Sequence, residues 1–122
     1  MPMSNQYSFV QFEKDYQHQF RNKLNNAEEP VEVLKIFSKT ISSMLNEILK
    51  EKVKISYEDV KLLPNDDAEY KISDNLLKNS EINELFNNSD IKNIILRFAN
   101  AAVHRYLSLN KHNEKTKLKI RN

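Results

Sequence analysis

No glycine occurs in the 122 residues of this chain. Glycine is the residue that enters left-handed backbone conformations without steric cost, at hairpin turns and just past helix ends. Without it, tight hairpins of the I′ and II′ types have to be closed by Asn or Asp. Phosphate-cradling loops of the Walker A or Rossmann kind are excluded, and so is the strand-turn-helix nucleophile elbow. Most nucleotide-dependent enzyme classes go with them. Cysteine is absent as well, which removes disulfides, thiolate zinc sites and cysteine nucleophiles.

The length fits one domain, and a chain of this size buries enough surface for a single core. Apolar residues make up 39% and charged residues 30%. That balance predicts a thin core under a large polar surface, as in a helical bundle or a protein that completes its core against a partner. The opening residues carry neither a basic nor an apolar leader segment, and no apolar run approaches the length of a membrane span. The expected location is cytoplasmic, with no membrane contact. Charge is unevenly spread: residues 1–96 hold 12 Lys and Arg against 16 Asp and Glu, whereas residues 97–122 hold 7 against 1. The asymmetry points either to an acidic or phosphate-bearing partner at that end or to a solvated tail complementing a helix dipole. We therefore divide the chain into a helical domain, 1–110, and a basic C-terminal tail, 111–122.

Apolar residues recur at helical spacing over most of the chain. Phe9, Phe12, Tyr16, Phe20 and Leu24 form one stripe, capped at Ser8, with Glu13, Lys14, Gln17 and Arg21 assigned to the opposite face. A second helix starts at Pro30 and runs to about Lys52, with a seam of Leu34, Phe37, Ile41, Met44 and Ile48. It is too short for a free coiled coil and predicts an antiparallel hairpin with the first helix. The middle is less regular. Residues 52–57 alternate like a short strand, yet Ser56 with Asp59 has capping-box spacing for a short helix ending before Pro64. Residues 64–67 read as a turn. Residues 70–73 are a further strand candidate, although short helix and loop is the favoured reading of this stretch. Ser73, Ser80 and Ser89 each precede an acid at the start of a helical pattern. The alternation in 115–121 reads as a terminal strand or a disordered tail. The fold expected is all-α: a small antiparallel bundle of four to five helices, with one short β element at 52–57 or 115–121.

The last helix, 90–110, is apolar around more than half its circumference and should sit centrally. Its polar strip is Asn93, Arg97, Asn100, His104, Ser108 and Lys111. Arg97 and His104 are seven apart, on one strip two turns from each other. An Arg beside a His can bind phosphate and shuttle a proton. Arg97-x6-His104-x-Tyr106 resembles the R-x4–6-H motif of HEPN domains, all-helical domains of similar size, many of them dimeric RNases. The resemblance covers one helix and implies that Arg97 and His104 are catalytic. It departs from the pattern at Phe98, where family members usually carry a polar residue. Arg105 falls near the apolar stripe and is expected to snorkel outward along its stem.

Other chemistries lack support. The three histidines have no paired helical spacing, so no metal or cofactor is expected. Aromatic residues do not interleave with the C-terminal cations, which weakens base stacking. Three readings remain. The leading one is a non-catalytic helical protein of chaperone, immunity, inhibitor or regulatory type. It would bind another protein, or a second copy of itself as a homodimer, with Phe9, Phe12, Phe37 and Met44 as anchors. The second is nucleic-acid or acidic-partner binding through Arg105, Lys111, Lys115, Lys117, Lys119 and Arg121. The third is the HEPN-like RNase.

Overall fold

The helical periodicity is realised in a computed structural model, which describes residues 8–121, with side chains as far as Lys111. The described residues are 70% helical, with five α-helices and a two-stranded sheet. Helix α1 spans Val10–Asn26 and α2 spans Pro30–Ile48. A 3-10 turn at Tyr57–Asp59 leads into strands β1, Val60–Leu62, and β2, Tyr70–Ile72. Short α3, Asp74–Leu77, and α4, Ser80–Asn88, precede the long α5, Ile91–Arg121. The β element therefore lies at 60–62 and 70–72, not at 52–57 or 115–121. Residues 115–121 continue the backbone of α5, because nothing in the basic segment breaks the helix: neither proline nor glycine interrupts it.

One cluster of buried residues holds these elements together. Val33, Phe37, Ile41, Met44 and Leu45 of α2 are wholly buried, as are Ile91, Ile94, Ile95, Ala99 and Ala102 of α5. Helix α2 makes its most extensive contact with α5 and its next with α1. Tyr16 Oη reaches the Ser43 carbonyl at 3.5 Å, consistent with the antiparallel α1–α2 hairpin. Against α5, α1 runs in the same direction. Phe9 N donates to Asp90 Oδ1 at 2.9 Å, the Phe20 ring meets Phe98 edge-on at 4.8 Å, and Arg105 reaches the end of α1.

The hairpin is antiparallel, pairing Val60 with Ile72, Lys61 with Lys71 and Leu62 with Tyr70. Val60, Leu62 and Ile72 face the core while both lysines are exposed. One side chain of α2, Ser38, fixes its position and another, Asn46, fixes the segment that leads to it. Ser38 Oγ donates to the Val60 carbonyl at 2.5 Å. Asn46 both donates to the Ile55 carbonyl (2.9 Å) and accepts from its N–H (3.2 Å), serving as a one-residue strand partner.

Left-handed backbone is needed at three places, and residues other than Asn or Asp take it: Lys50 at φ 52°, Glu51 at φ 60° and Glu69 at φ 67°. Lys50 N donates to the Glu47 carbonyl and Glu51 N to the Asn46 carbonyl, the reversed hydrogen bonds that close a helix end where glycine is usual. This ends α2 at Ile48, short of the expected Lys52. The capping box at Ser56 and Asp59 forms, but it opens one 3-10 turn instead of a longer helix. Ser73 caps α3, whereas Asn79, not Ser80, caps α4 by accepting from Glu81 N and Ile82 N.

Candidate functional site

Two residues of the polar strip of α5, Arg97 and Asn100, are engaged by acids within the chain. Arg97 donates to Glu13 through Nε (2.6 Å) and Nη2 (2.8 Å), a two-point pair between α5 and α1. The Glu13 side chain is only 12% exposed, against 53% for Arg97. The hydrogen bond that Arg97 donates to Glu13 raises the pKa of its guanidinium above the ordinary value. Burial opposes that shift, and the charges of Glu13 and Asp90 reinforce it. One turn further along, the Asn100 amide nitrogen lies 2.8 and 3.1 Å from the two Glu69 carboxylate oxygens in the orientation that satisfies both groups. This contact holds the left-handed Glu69 of the hairpin against α5.

Glu13 was assigned by sequence to the solvent face, and the structure corrects this. It lies four residues after Phe9 and seven before Phe20, inside the aromatic stripe. An acid in that stripe is the available signal of a buried partner, and Arg97 supplies it.

His104 is exposed and makes no hydrogen bond among the described residues. It borders a shallow cleft of about 310 Å³ with Arg21, Asn25 and Arg105, whereas Arg97 borders a neighbouring one of about 260 Å³ with Glu13 and Gln17. The two residues of the HEPN resemblance thus share a strip but not a cleft, and the guanidinium carries a carboxylate already. Arg105 does not snorkel into solvent. It donates to the carbonyls of Leu24 (2.8 Å), Asn25 (3.2 Å) and Ala27 (3.0 Å), so it is engaged with the end of α1 instead of facing an outside anion.

The expected partner anchors divide in two. Phe37 and Met44 are completely buried in the core and present nothing to a partner, because the α2 seam is covered by α1, α5 and the hairpin. Phe9 and Phe12 are half-buried, their rings 5.9 Å apart, and pack against the core. Lys111 is exposed. The side chains of Lys115, Lys117, Lys119 and Arg121 lie outside the described residues.

A groove that the sequence reading missed runs between α1 and α2, with a volume of about 540 Å³. Phe20 and Ile36 form its floor, while Lys23, Lys35 and Lys39 stand along it with a single acid, Glu32. None of these lysines has an ion-pair partner among the described residues. Tyr16, Gln19, Thr40 and Ser43 supply uncharged polar groups. Burial raises the Tyr16 pKa, with the neighbouring Glu47 adding through its charge and hydrogen bond, so the phenol stays protonated as a donor. The signal for the groove was present: Lys35 and Lys39 are one turn apart, and an antiparallel hairpin brings Lys23 alongside them.

Among the described residues, no cluster of three or more His, Asp or Glu side chains could hold a metal ion, and no helix is long and apolar enough to cross a membrane. The chain matches no protein-family model, no curated protein and no solved structure.

Proposed function

We propose that this chain is a non-catalytic protein-binding module whose groove between α1 and α2 receives an acidic, amphipathic helix of a partner protein. The observation that carries this reading is the combination of an apolar floor, Phe20 and Ile36, with three lysines that have no ion-pair partner among the described residues. A helix laid between two helices buries its apolar side on such a floor and brings acids at its margins to the lysines. From Tyr16 to Lys23 the groove is about 10 Å long, or two helical turns. Complementary charge of this kind sets partner choice and encounter rate more than raw affinity. The engagement of Arg97 by Glu13 and the separation of His104 from it favour binding over RNA cleavage.

The test is fluorescence anisotropy with a labelled helical peptide bearing leucines on one face and glutamates beside them. The expected outcome is saturable binding that weakens about tenfold or more when Lys23, Lys35 and Lys39 are all changed to Glu, and that falls with added salt. Equal binding by the triple variant, or no binding by the parent, overturns the proposal.

The continuation of α5 to Arg121 favours one second reading, phosphate-directed nucleic-acid binding. Its signature would be affinity for duplex that drops steeply with salt and is lost on removing residues 111–122, with the lysine groove variant unaffected.

A further inference from the structure

A second groove, of about 700 Å³, lies where the end of α2 and the chain after it meet α4. Its floor is apolar: Phe9, Ile48, Leu49 and Leu85. Its polar residues are divided by sign, with Lys50 and Lys52 following α2 and Glu81 and Glu84 on α4. Glu81 and Glu84 are three apart and so share a face of α4. Lys50 and Lys52 border the same groove because the chain between α2 and the 3-10 turn bends through two consecutive left-handed residues, Lys50 and Glu51. All four charges are exposed, and none makes an ion pair among the described residues.

Such a groove has no net charge to select an acidic or a basic partner. It is, however, complementary to itself. In a two-fold dimer a residue i of one copy that meets residue j of the other is matched by j of the first meeting i of the second. A half-turn sets the lysine wall of one copy against the glutamate wall of the next and screens the two apolar floors from solvent between them. We propose that this groove is a two-fold self-association surface, and that its occupant is a second copy of this chain. The surface is small, and interfaces at the small end of the range are transient. Association is therefore expected to depend on concentration. The inference does not rest on the lysine groove between α1 and α2, which shares no residue with this one.

Sedimentation of the full chain over a range of concentrations tests it. The mass is expected to rise from 14.4 kDa toward twice that value. Two charge-reversed variants, Lys50→Glu with Lys52→Glu and Glu81→Lys with Glu84→Lys, should each remain monomeric where the parent associates. Mixed in equal amounts they should associate again, since an all-acidic groove then faces an all-basic one. Should either reversal lose its helical circular-dichroism signal, Lys52→Gln with Glu84→Gln gives the same reading through weakened association of a folded protein. A parent that stays monomeric throughout, variants that associate as the parent does, or a mixture that stays monomeric overturns the proposal. The Lys23, Lys35 and Lys39 triple variant should associate normally, which separates failure here from failure of the peptide-binding reading.

Discussion

Arg105 does at the end of α1 what a glycine does at many helix termini. The last carbonyls of a helix have no partner within it, and a left-handed residue beyond the end usually folds the chain back to satisfy them. Here Ala27 leaves α1 in extended conformation, with φ −67° and ψ 135°. The carbonyls of Leu24, Asn25 and Ala27 are instead taken by one guanidinium from α5. A cation at this position also complements the helix dipole. Changing Arg105 to Ala should destabilise the protein by about 2–3 kcal/mol, since it removes charge-assisted hydrogen bonds to carbonyls that are partly buried. Arg105→Lys should recover only part of this, because an ammonium cannot reproduce the planar fork. Urea denaturation read by circular dichroism decides both. The sequence showed Arg105 as an anomaly near an apolar stripe but held no sign of its acceptors, which are backbone atoms some 80 residues away and carry no side-chain signature.

At the level of elements, what was legible depended on how local the cause was. The stripes that make α1, α2 and α5 repeat every three or four residues, so a short window contains the reason for each helix. The capping box at Ser56 and Asp59 was visible for the same cause. Strand β2 was visible as the candidate at 70–73, but its partner β1 was not, since Val60 pairs with Ile72 across a seven-residue loop and each strand is only three residues long. The hairpin's position is fixed from outside by Ser38 of α2, with Asn46 holding the approach at Ile55. The pairing even contains a conflict, with exposed Lys61 directly opposite exposed Lys71. Like charges facing one another across strands are unfavourable. Lys61→Glu should therefore raise stability by roughly 0.5–1 kcal/mol at low salt, with the gain shrinking as salt is added. Thermal melts at two ionic strengths read the difference. The α1–α2 groove was half legible: each lysine was in view, but their convergence required knowing which sides of the two helices face each other.

On the scale of the molecule, α1 is tied down by α5 at three heights. Asp90 accepts from Phe9 N and Ser8 Oγ at the start of α1, Arg97 holds Glu13 near the middle of the shared path, and Arg105 takes the carbonyls at its end. Loss of the central tie leaves Glu13 nearly buried and alone, at a cost of about 1–3 kcal/mol. Arg97→Ala should accordingly speed amide hydrogen exchange across residues 10–26 while α2 and the hairpin keep their protection, because α2 has α5 and the sheet to hold it. Uniform acceleration over all elements would show that α1 does not open as a separate unit. Every one of these ties joins residues more than 75 positions apart. A ribosome delivers α1 some 80 residues before the arginines that fasten it, so over that stretch of synthesis α1 and its row of aromatic rings wait without their clasps. The nascent chain is thus exposed to mispairing until α5 emerges, and α1 is secured only then.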